Sequence, residues 1–167
     1  MTIRLGFFSG VFSTALLFFA LSFSPPATAQ SYGDSACAEA PSTPLRDICQ
    51  ITNAERAKRR LEPLTWDPSV ARVAQAHARD MHVRKYFSHT SPDGRTMSDR
   101  LKRGKVPYGW AGENIAAGYQ TPVRFMKAWM NSKGHRRNIL NSKYTRIGIG
   151  WAGEKVVQNF TDGRSRN

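Results

Sequence analysis

The sequence predicts an α+β domain in which helices pack on an antiparallel sheet. Two observations carry that class. Helical apolar spacing, opened by cap-plus-proline signatures, recurs through residues 43–131, and strand-like alternation gathers only from Thr145 onward. Thr43-Pro44 opens the first helix, with the hydroxyl as N-cap and proline at the first helical position. Ile48, Ile51, Ala54 and Ala57 follow at a spacing of three, an apolar stripe on a basic helix ending near Arg60. Leu61 to Leu64 contains Pro63 and is a turn. Asp67-Pro68 repeats the start signal, and Val70, Ala74, His77 and Met81 carry a second helix to about Val83. Residues 84–95 form a loop that ends in the turn Ser91-Pro92-Asp93-Gly94.

Thr96 and Asp99 resemble a capping box for a short third helix. Gly104, Pro107, Gly109 and Gly112 make the next stretch irregular. Thr121-Pro122 caps a further helix, with Val123, Met126, Trp129 and Met130 on one face and Gly134 as its end. From Thr145 to Trp151 the chain alternates, placing Ile147, Ile149 and Trp151 on one side of a strand. A turn at Ala152-Gly153-Glu154 then leads into Val156–Phe160, so the C-terminal part reads as an antiparallel hairpin.

The N-terminal part reads differently. Arg4 precedes an apolar run from Leu5 to Phe23, Pro25-Pro26 breaks it, and Ala27-Thr28-Ala29 has the small-x-small pattern of a cleavage site. Residues 1–29 are therefore expected to be a secretory signal peptide, cut after Ala29. The alternative is a retained anchor, since about 19 apolar residues could just span a bilayer. Removal leaves 138 of the 167 residues, a size suited to one domain with its own core. Residues 30–43, rich in Ser, Ala and Pro, read as a poorly ordered leader, residues 44–162 as the domain, and residues 163–167 as a basic tail. No further transmembrane run or internal repeat is evident.

The signal peptide takes one base and no acid with it, so the formal charge falls from +13 to +12. Such a surface draws in anionic membranes or cell-envelope polymers. The bases are dispersed and no aromatic ladder accompanies them, which argues against dedicated nucleic-acid binding. Cys37 and Cys49 are an even pair in an exported chain, so a structural disulfide is expected in preference to a catalytic thiol.

Helical geometry sorts the four histidines. His77 and His82 are five apart, about 140° around the helix axis, and cannot share a ligand. His77 lies on the apolar stripe and reads as a core residue. His89, in Phe87-Ser88-His89-Thr90, and His135, in Gly134-His135-Arg136, both fall on expected connections, where binding residues concentrate. Spacing alone does not bring them together.

Motif order does. Asn53-Ala54-Glu55-Arg56, Leu64-Thr65-Trp66-Asp67, Phe87-Ser88-His89-Thr90 and Gly112-Glu113-Asn114-Ile115 follow one another along the chain. Trp129 with Gly134-His135-Arg136, Ile147-Gly148-Ile149-Gly150 and Val157-Gln158-Asn159-Phe160 complete the series. In this order, over about residues 44–162, they resemble the CAP superfamily of cysteine-rich secretory proteins, antigen 5 and plant pathogenesis-related 1 proteins. Ser132 to Arg136 is similar to its bacterial branch. The resemblance implies an α-β-α sandwich around a small antiparallel sheet, and a cleft of two histidines and two glutamates that holds zinc or another divalent cation in some members. By position the histidines are His89 and His135 and the first acid is Glu113; Asn114 lies beside it. The second acid is replaced by Ser132, with Glu154 and Asp93 as compensating candidates. The resemblance further implies a secreted or periplasmic bacterial protein, monomeric, binding a small ligand, lipid or divalent metal. The alternative is a hydrolase, protease-like or metal-assisted, using His135, His89 and Glu113. Ser88, Ser91 and Ser132 would be its candidate nucleophiles, but no Gly-x-Ser-x-Gly elbow is present.

Overall fold

The computed structural model describes residues 35–164. The expected signal peptide and the last residues of the basic tail lie outside them. Element order is α1 (Thr43–Ala57), β1 (Thr65–Trp66), α2 (Pro68–Val83), α3 (Met97–Arg103), β2 (Ala111–Ala117), α4 (Pro122–Asn131), α5 (Lys133–Ile139), β3 (Arg146–Ala152) and β4 (Lys155–Thr161). The four strands form one sheet in the order β1-β3-β4-β2. β4 is antiparallel to both β2 and β3, and the two-residue β1 joins β3 in parallel.

The alternation in Ile147-Gly148-Ile149-Gly150 makes this sheet the middle of a sandwich. Ile147 and Ile149 point to the face covered by α1 and α4, in a core with Ile48, Phe125, Trp129 and Phe160. Gly148 and Gly150 point to the other face, where α2 lies directly on the strand backbone: a Cβ at Gly148 would stand 2.1 Å from the Ala71 nitrogen. Ala74, Ala78 and Met81 of α2 complete that second layer against Ile115 and Val157. Helices thus cover both faces of the sheet, as the α+β class and the sandwich predicted.

Several local signals work as read. Asp67 caps α2 by accepting from the Ser69 and Val70 amides, and Thr96 and Asp99 form a reciprocal capping box on α3. Thr121 caps α4. The hairpin registers Ala152 opposite Lys155 across the turn. Asn53 and Arg56 pin α1 to distant loops: Asn53 exchanges two hydrogen bonds with the Leu64 backbone, and Arg56 donates to the carbonyls of Glu62, Ile139, Asn141 and Tyr144. Burial pushes the Arg56 pKa down to about 10, so it is still charged at neutral pH.

Other signals are overridden. Ser42, not Thr43, is the N-cap of α1. Residues 104–110 are irregular as read, but Gly112 belongs to β2, because β4 supplies a full ladder from Ala111↔Thr161 to Ala117↔Lys155. Gly112 within it is needed for space: a Cβ there would meet the Tyr144 hydroxyl at 2.5 Å. Gly134 does not end α4; the chain bends at Ser132, and Gly134 lies inside α5. Val123 is 66% exposed, and Phe125 takes its expected place in the core. Part of the expected leader is packed, since the Cys37–Cys49 disulfide draws Cys37 and Ala40 into the core.

Candidate functional site

Four elements converge on Glu113. It stands in the middle of β2, with its side chain only 3% exposed. A carboxylate in such a place requires compensation, and Arg100 of α3 provides it. One guanidinium nitrogen of Arg100 donates to both carboxylate oxygens, at 3.0 and 2.8 Å, in a pair that is itself buried. The same guanidinium donates to the carbonyls of His89 and Arg95, which fastens the loop after α2 to α3.

That loop delivers His89. Its Nδ1 lies 2.8 Å from Glu113 Oε1. Opposite an ionised carboxylate, Nδ1 carries the proton, so in the neutral ring Nε2 keeps its lone pair. The ring is half exposed, and Glu113 acts on it as an orienting partner, as carboxylates do behind metal-bound or catalytic histidines. Behind the loop, His77 is buried with its Nε2 3.1 Å from the Ser88 carbonyl, which is a structural role.

His135 comes from α5, where it is half-buried. The sequence placed it on a connection; it lies inside a helix, because the β2 edge gives this segment something to pack on. Asn138 of the same helix donates to the Glu113 carbonyl at 3.1 Å and to Asn114 Oδ1 at 2.9 Å, and Asn114 donates to the His135 carbonyl. Asn114 in turn bonds Gln158, which donates to Thr52. A chain of buried amides thus holds α5, β2, β4 and α1 in register behind the cleft. Burial and, next, the nearby His89 charge hold the His135 pKa below its usual 6.5.

The structure thus joins His89 to Glu113, with Arg100 behind, and places His135 on the helix that Asn138 ties to the same strand. Ser132 sits at the α4–α5 junction as the cap position of both helices and makes no side-chain cap bond. Neither candidate second acid reaches the cleft: Glu154 pairs with His82 and Lys155 at the β3–β4 turn, and Asp93 pairs with Arg95. Among the described residues, no group of three or more His, Cys, Asp or Glu is arranged to hold a metal ion. Since both Glu113 oxygens are committed to Arg100, the set does not fit a closed three-ligand centre. Nor does any described serine hydroxyl bond a histidine ring. Ser91 is buried and accepts from Tyr86 and Arg100.

Arg100 and Asn138 are the residues the sequence reading missed. Arg100 had one signal: it shares a helical face with Met97 and Leu101, an odd place for a charge unless a buried acid awaits it. Asn138 had none.

Burial lowers the pKa of His77 as it does that of His135. The unfolded chain therefore binds more protons below pH 6.5 than the folded one. The stability these histidines contribute is fully present above that pH and is lost as the pH falls through it toward their folded values. Denaturant midpoints are expected to drop between pH 7.5 and 5, and less so in His77→Gln; equal slopes in the two proteins would refute the assignment.

Residues 50–161 match the model of the cysteine-rich secretory protein family, CAP. The chain is 42% identical over 138 residues to the uncharacterised protein YkwD of Bacillus subtilis, covering 81% of this chain and 54% of that one. It thus spans about half the length of that relative. Among solved structures, an extracellular protein containing an SCP domain from Bacillus anthracis superposes with a TM-score of 0.69 at 44% identity, over 70% of this chain and 39% of that one. An outer surface protein of Borrelia burgdorferi has a TM-score of 0.65 at 21% identity, over 74% and 97%, a likeness of fold alone.

Proposed function

The chain belongs to the cysteine-rich secretory protein (CAP) family, and on that premise we propose that it is an exported bacterial binding module whose cleft captures a small polar ligand through His89 and His135. The observation that carries this reading is the commitment of Glu113. Held by Arg100 and orienting His89, the carboxylate shapes the cleft without being free to act as a base. The ligand meets two imidazoles, one with its Nε2 lone pair available and one kept neutral by burial. Such a pair suits a hydrated divalent cation, which would draw only two ligands from this chain and be held weakly, or a polar lipid headgroup. A serine hydrolase would need a nucleophile paired with a base, and the described serines offer none.

Export is supported by the signal-like residues 1–29 and by the Cys37–Cys49 disulfide, which persists in oxidising compartments. No helix among the described residues is long and apolar enough to cross a membrane.

Native mass spectrometry of the protein purified without chelator, followed by calorimetric titration with zinc, tests the reading. The expected result is a weak adduct or zinc isotherm that is lost in His89→Ala and His135→Ala, with folding intact by circular dichroism. Binding unchanged in both variants would remove the ligand from the cleft. Hydrolysis abolished by His135→Ala would replace binding with catalysis.

A further inference from the structure

On the far side of the His89 loop, α2 and α3 enclose a second hollow of about 370 Å³, which the cleft does not use. Four arginines line it: Arg72 from α2, Arg95 from the loop, and Arg100 and Arg103 from α3. Two of these are neutralised, Arg95 by Asp93 and Arg100 by Glu113. Arg72 and Arg103 make no ion pair or hydrogen bond among the described residues, so the rim carries two uncompensated guanidinium groups. Arg100, 7% exposed, has an Nε that is buried without a hydrogen-bond partner. A buried donor left unmade is costly, a cost that an acceptor entering from the hollow would remove. The single acid on the wall, Asp80, is already engaged by the Tyr86 hydroxyl and by Arg84.

We propose that this hollow is an anion site that takes a phosphate ester of a small molecule. Guanidinium groups approaching from two helices and a loop match a tetrahedral, multiply charged group better than a planar carboxylate, which one fork satisfies. The volume falls in the range of small-molecule pockets and exceeds what inorganic phosphate alone fills. Val73 and Ala76 supply an uncharged wall for the body of the ester. The phosphate belongs either to a soluble ester or to a phospholipid headgroup; the chemistry is the same.

The test spares Arg100, which also serves the cleft, and uses Arg72→Gln/Arg103→Gln, two exposed positions. Arg124→Gln/Lys127→Gln, on the outer side of α4, removes equal charge as a control. Glycerol 3-phosphate is titrated by calorimetry, with glycerol as the uncharged reference. Saturable binding that weakens at least tenfold in the Arg72/Arg103 variant and less than twofold in the control supports the site. The same drop for phosphatidylglycerol vesicles identifies a lipid headgroup as the source, and unchanged vesicle binding identifies a soluble ester. Equal losses in both variants, or no binding of glycerol 3-phosphate above that of glycerol, would overturn the proposal.

Discussion

Replacing Arg100 by leucine is expected to cost the folded domain about 3–5 kcal/mol, the usual penalty for leaving one member of a buried ion pair alone. Arg100 and Glu113 are 6% and 3% exposed at their side chains, and the guanidinium covers both carboxylate oxygens. Without it, Glu113 must either stay charged in a poor solvent or take up a proton, so the variant's stability should improve as the pH is lowered. The loss reaches further than the pair. Arg100 also holds the His89 and Arg95 carbonyls, so the loop carrying His89 should loosen and the His89–Glu113 contact with it. The double variant Arg100→Leu/Glu113→Leu is expected to regain much of the lost stability, because no charge then remains buried, but not the cleft. Urea unfolding of the three proteins measures this. A single-variant cost below about 1 kcal/mol, or a double variant no better than the single, would mean that the pair is effectively solvated.

A comparable effect is expected from one methyl group on the sheet. Gly148→Ala and Gly150→Ala would each place a Cβ against α2 backbone, 2.1 Å from the Ala71 nitrogen and 2.2 Å from the Gln75 Cα. Overpacking a core usually costs about 1–3 kcal/mol, relieved by side-chain shifts. Here the obstacle is main chain, so relief requires α2 to lift off the sheet, and the cost should reach or exceed the top of that range. α2 leads directly into the His89 loop, so ligand binding in the cleft should weaken along with stability. Gly134 provides the contrast. It lies within α5 with nothing near its missing Cβ, and Gly134→Ala is expected to stabilise by about 0.5–1 kcal/mol through helix propensity and the unfolded chain. Thermal unfolding of the three variants would show opposite signs; a neutral Gly148→Ala would mean that the helix–sheet contact is looser than described.

Local signals were legible wherever local physics decides. The Asp67 and Thr96 caps, the prolines that open α2 and α4, and the Ile147/Ile149 alternation each depend on residues a few positions apart. They survived folding unchanged. Failures came where a distant partner overrides propensity. Gly112 read as irregular chain, yet β4 makes it part of a buried strand by supplying the hydrogen bonds. Gly134 read as a helix end, yet its neighbours pack on β2 and extend α5 past it.

By itself, then, the sequence determined the fold class and the cysteine pairing, and it supplied the expectations of an exported N-terminal part and of a cleft at His89, Glu113 and His135. It did so because caps, periodicities and ordered motifs are properties of the chain. Only the tertiary structure decided what those residues do. Glu113 is a buried, arginine-bound orienter of His89, and neither Glu154 nor Asp93 completes a second acid. The arginines of the second hollow, drawn from α2, α3 and the loop between them, were invisible as a group for the same reason. Charge, burial and free lone pairs are set by neighbours far away in the chain, and no spacing records them.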